Sequence, residues 1–277
     1  MGKKSKKKTT KSGSNNNNNN NNNNNRKKIT KKKDFRNEYI PNFEIKFGPA
    51  FSTLHVMLER DQSVFAEAGS YNRMNRTIKM HTGSKGGILK GLRRSFTGTS
   101  SMFLNTFTGT SSIGSKLVLA SHLPGDILPL MIYPGQKIIT SSHAFLGATN
   151  NIAPPDTRFR GRNFFLGSNI FLSVLKVDSR YDNPGLIWLK SYGPHKKVTL
   201  KEGEEHLVDG GLFLCSDGNI QYDIVKPSRE SFFRSVALSG EGFSMRFRGP
   251  CEFYVSGRNV GGLISFIQKQ ALKVCRK

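Results

Sequence analysis

The chain of 277 residues is expected to fold as a mainly β protein of three pseudo-repeats, each roughly 70 residues long. Three observations lead there. From about Phe43 onward, apolar side chains recur at every second position. Short Gly, Pro and Asp steps interrupt those runs. The same succession of apolar and turn residues then returns at offsets of 74 and 68 residues.

A period of two places alternate side chains on opposite faces of a strand. Leu54, Val56 and Leu58 alternate with His55 and Met57, and Val64, Ala66 and Ala68 alternate with Phe65 and Glu67. Phe243, Met245 and Phe247 alternate with Ser244, Arg246 and Arg248, which describes a half-buried strand with a basic outer face. Between such runs stand Pro124-Gly125-Asp126, Pro134-Gly135, Asn183-Pro184-Gly185, Asp217-Gly218 and Gly249-Pro250. These steps preset or permit the dihedrals of tight turns, so a sandwich or barrel of short strands follows.

The repetition is detailed. Val56-Met57-Leu58, Leu130-Met131-Ile132 and Val198-Thr199-Leu200 are each followed by a turn residue, Asp61, Gly135 and Gly203. Without a gap come Phe65, Ile139 and Leu207, then Glu67, Ser141 and Asp209, then the aromatics Tyr71, Phe145 and Phe213. A second series pairs Phe103 with Phe107, Phe171 with Leu175 and Phe243 with Phe247. Further strands follow at Leu117-Val118-Leu119, Leu186-Ile187-Trp188 and Phe253-Tyr254-Val255. The repeats are placed at about residues 43–110, 111–178 and 179–262, with about four strands each, and a C-terminal helix at 263–277. Triplicated β units bury their apolar faces on one another, giving one compact sandwich-like or prism-like body.

Ala66-Glu67-Ala68-Gly69-Ser70-Tyr71, Gly86-Gly87-Ile88 through Gly91-Leu92-Arg93-Arg94, and Phe103-Leu104-Asn105-Thr106-Phe107 resemble the altered-inheritance-of-mitochondria protein 24 family. Leu117-Val118-Leu119-Ala120, Pro124-Gly125-Asp126-Ile127, Val208-Asp209-Gly210 and Ser239-Gly240-Glu241-Gly242-Phe243 continue the likeness, which spans about residues 45–262. The resemblance implies a fold like that of the trp RNA-binding attenuation protein (TRAP-like), often assembled into oligomers. It brings no catalytic residues. Eukaryotic members of that family are mitochondrial inner-membrane organisers. The Lys-rich, Asn-rich N-terminus is a poor transit peptide, and Gly98-Thr99-Ser100 stands where the family tends to read Gly-Glu-Ser.

The formal charge of +24 divides evenly, half of it within residues 1–36. There Lys3, Lys4, Lys6, Lys7 and Lys8 precede 11 consecutive asparagines, Asn15 to Asn25, and Arg26, Lys27, Lys28, Lys31, Lys32 and Lys33 follow them. Residues 1–42 are therefore expected to be a disordered basic tail that holds nucleic acid or another anionic surface by charge alone. A second basic stretch carries seven Lys and Arg and no acid from Arg73 to Arg94. Within it, Ile88, Leu89, Leu92 and Phe96 share one side of a short internal helix at 85–96, while Lys90, Arg93 and Arg94 face away and Lys85 opens the segment. Arg158, Arg160 and Arg162 interleave with Phe159, Phe164 and Phe165 in an insert, a composition suited to stacking on single-stranded bases; a surface loop leading into the next strand is the reading preferred. Leu263, Ile267, Ala271 and Val274 lie at helical spacing, with packing on the body as the default and a partner or membrane contact as the alternative.

Chemistry of an enzymatic kind finds no arrangement to support it. No Gly-x-Ser-x-Gly elbow, no cysteine with a local histidine and no metal-ligand spacing occurs. Glu204-Glu205-His206 is placed at a turn. Neither a cofactor nor a small-molecule substrate is expected. Three widely spaced cysteines (Cys215, Cys251, Cys275) suggest neither a disulfide framework nor a zinc module. The chain is expected to be intracellular, neither secreted nor membrane-spanning, since no apolar run is long enough. The function expected is that of a homo-oligomeric, non-enzymatic interaction protein. Its alternatives are a membrane-associated scaffold or a virion protein of a large DNA virus.

Overall fold

The computed structural model describes residues 39–83, 103–158, 172–225 and 244–274. The first repeat holds β1 (Asn42–Lys46), β2 (Thr53–Leu58), β3 (Ser63–Glu67), β4 (Tyr71–Met74), β5 (Ile78–Thr82) and β6 (Leu104–Gly109). The second holds β7 (Ser115–Ala120), β8 (Ile127–Ile132), β9 (Lys137–Ser141), β10 (Phe145–Thr149), β11 (Asp156–Arg158) and β12 (Leu172–Lys176). The third holds β13 (Gly185–Lys190), β14 (His195–Leu200), β15 (Glu205–Asp209), β16 (Phe213–Asp217), β17 (Tyr222–Val225) and β18 (Ser244–Arg248). A further copy of the opening strand, β19 (Cys251–Ser256), and the helix α1 (Val260–Val274) complete the chain. Each repeat thus carries six strands rather than about four. The expected internal helix at 85–96 lies outside the described residues.

The offsets of 74 and 68 read from the sequence recur as geometry. Gln62, Gln136 and Glu204 donate their backbone N–H to the carbonyls of Glu59, Tyr133 and Lys201 at 3.2, 3.0 and 3.1 Å. Their side-chain oxygens accept from the backbone N–H of the same three residues at 3.1, 3.2 and 2.7 Å. The third position of each turn has positive φ: 64° at Asp61, 83° at Gly135 and 80° at Gly203. Such a turn admits Gly or a short Asp there and little else. The aromatic that opens β4, β10 or β16 is followed every time by a bulge, between Tyr71 and Arg73, Phe145 and Gly147, and Phe213 and Cys215.

Strand pairing crosses the repeat boundaries. The sheets run β1-β2-β7-β4, β5-β6-β3-β10-β13-β8, β11-β12-β9-β16-β19-β14 and β15-β18-β17. Each six-stranded sheet joins three strands of one repeat to three that begin with the fourth strand of the next. The joints are β3 on β10 (Ala66 opposite Gly147) and β9 on β16 (Thr140 opposite Cys215). Val64, Phe65 and Ala66 are all buried because both faces of β3 are covered, Phe65 packing into one core and Val64 and Ala66 into another. A buried core lies between the two six-stranded sheets and includes Phe65, Phe145, Ile187 and Leu214. Leu54, Leu117 and Trp188 fill the space between the four-stranded sheet and its neighbour; Phe213, Met245, Phe247 and Phe253 fill the corresponding space at the other end. Phe107, Leu175 and Phe247, the recurrent residues of the second series, are each fully buried.

The three repeats meet at Phe51, Gly125 and Gly193, joined by parallel bridges. Ser52 N donates to Gly125 O at 2.9 Å, and Asp126 N donates to Gly193 O at 3.2 Å. The position equivalent to Ser52 and Asp126 in the third repeat is Pro194, which has no N–H to give. A Cβ on Gly125 would overlap the carbonyl of Ser191, so the approach of backbones here requires glycine.

Two fully buried polar side chains pair with each other and with the turn before β13. Thr149 and Asn151 are fully buried; Thr149 Oγ1 donates to Asn151 Oδ1 at 2.7 Å and accepts from Leu186 N at 2.9 Å. Asn151 Nδ2 donates to the carbonyls of Asn183 and Pro184, both at 3.0 Å, which fixes the Asn-Pro-Gly turn before β13.

Candidate functional site

Of the basic residues singled out in the sequence, Lys3, Lys4, Lys6, Lys7, Lys8, Arg26, Lys27, Lys28, Lys31, Lys32 and Lys33 lie outside the described residues. So do Lys85, Lys90, Arg93, Arg94, Arg160 and Arg162. Arg158 belongs to β11, where it stands opposite Leu172 at the edge of a sheet, in a strand rather than a plain loop. Elsewhere some of the body's cations are matched by acids. Arg246 Nε lies 3.2 Å from Glu205, while Arg248 reaches Glu205 at 3.0 Å and Asp223 at 2.7 Å. Asp223 first, then Glu205, keeps the Arg248 guanidinium more firmly protonated than usual. The basic outer face expected of β18 is therefore neutralised in place. Lys197 is held likewise by Glu252 at 2.7 Å.

A less balanced face lies across the four-stranded sheet. Because β1 pairs with β2, β2 with β7 and β7 with β4, one row of residues runs Glu44, His55, Val118, Arg73. The next row places Asn42, Met57 and Lys116 side by side. With Lys46 they border an open cavity of about 590 Å³. Glu44 pairs with Lys46 at 3.0 Å, and Thr53 Oγ1 shares a hydrogen bond with His55 Nε2 at 3.0 Å. Partial burial pushes the His55 pKa down, and the charges of Lys46 and Arg73 add to the effect. The imidazole is thus neutral near pH 7, and the cationic character of this face comes from Lys46, Arg73 and Lys116. Arg73 was visible as the first member of the basic stretch. The others escaped notice because they sit singly at alternate positions of three strands.

Helix α1 is the second feature. It begins at Val260, three residues before the expected start, because Asn259 caps it: Oδ1 accepts from Gly261 N at 2.8 Å while Nδ2 donates to Asp209 at 2.8 Å. Packing on the body, the default expectation, is not what the structure shows. Ile264, Phe266 and Ile267 are 50, 59 and 55 % exposed. At 100° per residue Val260, Leu263, Ile264, Ile267 and Ala271 share one side, while Phe266 and Lys269 fall on the other. The helix contains no acidic residue.

Nothing among the described residues gathers three metal-ligating side chains. Asp126 accepts from Ser52 Oγ at 2.7 Å and from Ile127 N at 2.8 Å, with His195 Nδ1 at 3.2 Å. The carboxylate stands between serine and histidine, tying together the three repeat starts, so the histidine is not positioned to activate the hydroxyl. Of the Glu204-Glu205-His206 group, Glu204 closes the turn and the other two lie in β15. Cys215 is buried, which pushes its thiol pKa up and makes it a packing residue. No helix of the described residues is long and apolar enough to cross a membrane.

These features define a class: a triplicated antiparallel β body that presents a basic sheet face and an uncovered cationic amphipathic helix. The chain belongs to the family described as Mitochondrial biogenesis AIM24, whose model matches residues 43–258. It is also similar in fold to a protein of Streptococcus pyogenes solved by X-ray crystallography, with a TM-score of 0.66 and 23 % identity. That match covers 83 % of this chain and all of the other. Comparison with curated proteins gives no match.

Proposed function

We propose that the protein is a non-catalytic scaffold that seats on an anionic membrane surface through α1, with the lysines of the N-terminal tail adding attraction. The observation that carries this reading is the apolar side of α1 left open to solvent beside a lysine-bearing side free of acid. A helix of that kind lies in the headgroup layer with its apolar side inward. Burying half of each of Ile264 and Ile267, which share the apolar side, contributes about 1 kcal/mol apiece. Each lysine near an anionic leaflet adds about 1 kcal/mol at low salt. The sum corresponds to roughly micromolar to millimolar partitioning, strong enough to see and weak enough to reverse. The resemblance to inner-membrane organisers supports the same setting.

The test is flotation of the full chain with vesicles of phosphatidylcholine, alone or mixed with phosphatidylglycerol. Flotation is expected with the anionic vesicles and is expected to be lost in the Ile264→Asp, Ile267→Asp double variant. Deleting residues 1–36 should weaken it without abolishing it. A double variant that floats as well as the wild type overturns the reading, and so does complete loss on removing the tail alone.

A further inference from the structure

We infer that β4 and β15 are an interaction edge for a second copy of this chain, which makes the repeat-to-repeat joint that one chain leaves open. The body joins its repeats twice in the same manner. β10 lies on β3 with Gly147, Ala148 and Thr149 opposite Ala66, Phe65 and Val64. β16 lies on β9 with Cys215, Ser216 and Asp217 opposite Thr140, Ile139 and Ile138. The offsets of the repeat make β4 the equivalent of β10 and β16, and β15 the equivalent of β3 and β9. Yet among the described residues β4 pairs with β7 alone and β15 with β18 alone, each at the end of its sheet.

Side chains at the open joint record the difference. Phe145 and Phe213 are 0 and 2 % exposed, but their equivalent Tyr71 is 43 % exposed. Phe65 and Ile139 are 0 and 7 % exposed, but their equivalent Leu207 is 60 % exposed. The third repeat also lacks one tie to the first, because Pro194 cannot donate the hydrogen bond that Ser52 N and Asp126 N make to the neighbouring repeat. Two sheet ends with unused backbone groups and apolar side chains form a template for strand addition.

A second copy fits this edge better than an unrelated strand, because the register is already written in the two joints that exist. It places Arg73 opposite Val208, Met74 opposite Leu207 and Asn75 opposite His206 of the second copy. One step further, Arg76 comes opposite Glu205, so a cation meets an acid at that end of the edge. A twofold axis between the copies forms two such joints at once, β4 on β15 and β15 on β4, which closes the assembly at two chains.

Light scattering tests the mass, and a cysteine pair tests the register. The wild type is expected at twice 30.9 kDa, and Leu207→Lys, at an exposed position, is expected at the single-chain mass with an unchanged circular dichroism spectrum. For the register, Arg73→Cys and Val208→Cys are combined in a Cys275→Ser background and oxidised. At the existing joint a Cβ built on Gly147 lies 3.3 Å from Ala66 Cβ, close to the roughly 3.5–4.5 Å that a disulfide requires. A covalent dimer that reverts on reduction is the expected product. A single-chain product that has lost two thiols shows that the joint closes within one chain and overturns the inference. A wild type of single-chain mass with no cross-link overturns it equally.

Discussion

Truncating Phe247 is the sharpest probe of whether the two ends of the body share one cooperative core. The ring is fully buried between the three-stranded sheet and its neighbour. It stacks on Phe253 with centroids 4.1 Å apart and planes at 17°, and it contacts Phe213 at 5.7 Å and Tyr222 at 6.0 Å. Phe→Ala in a core costs about 3–5 kcal/mol, and the loss of three ring contacts puts Phe247→Ala at the upper end, about 5 kcal/mol. With a urea dependence of about 3 kcal/mol/M, the midpoint should fall by about 1.5 M. The assay is urea unfolding followed by far-ultraviolet circular dichroism and by the fluorescence of Trp188. This is the chain's one tryptophan, buried at the opposite end against the four-stranded sheet. Both probes should shift together. Phe103→Ala, at a 56 % exposed position of the same sequence series, should leave the midpoint in place. A shift below about 0.5 M in both probes, or a shift in dichroism with Trp188 unmoved, would refute the reasoning.

Asn151→Ala should destabilise the protein by about 2–4 kcal/mol in the same urea assay, because Thr149 loses an acceptor and the carbonyls of Asn183 and Pro184 lose their donor in a dry site. The folded pKa of His55 lies below its ordinary value of 6.5, so between the two values the unfolded chain binds more protons. Stability should therefore fall as pH drops from 6.5 through the folded value, and His55→Gln should flatten that part of the profile. A wild-type curve parallel to that of the variant counts against the assignment, and a proton NMR titration of the His55 ring reads the value directly.

Much of the triplication was legible because its markers are residues with narrow physical options. A left-handed turn position accepts Gly or Asp, so Asp61, Gly135 and Gly203 stood out, and a bulge preceded by a large ring left Tyr71, Phe145 and Phe213 in line. The strands that escaped counting are of another kind. β11 has three residues, Asp156–Arg158, and β5 ends in Lys, Met, His and Thr at an edge, so neither shows an apolar alternation. The start of α1 was misplaced because Gly261 and Gly262 are poor helix formers, and the cap that offsets them depends on Asp209, distant in sequence. The candidate surfaces were half legible. The lysines of α1 and its apolar spacing can be read directly, whereas its exposure depends on what the body offers it. The row from Glu44 to Arg73 exists only through pairing of four strands.

The stagger of the repeats has a consequence for how the chain can be divided. Within the first repeat, the ladders apart from β1 on β2 are β3 on β6 and β5 on β6; β2 and β4 find their neighbour in β7, at the start of the second. The same holds for β8 and β10 around β13, and for β14 and β16 around β19. A cut at any repeat boundary therefore strips the central strand from a sheet on one side of the cut. The units are laid like bricks in overlapping courses, and the extra strand after the third repeat is the half-brick that finishes the row. Sequence periodicity here marks copies of a pattern, and none of those copies is a module that could be lifted out, transplanted or lost on its own.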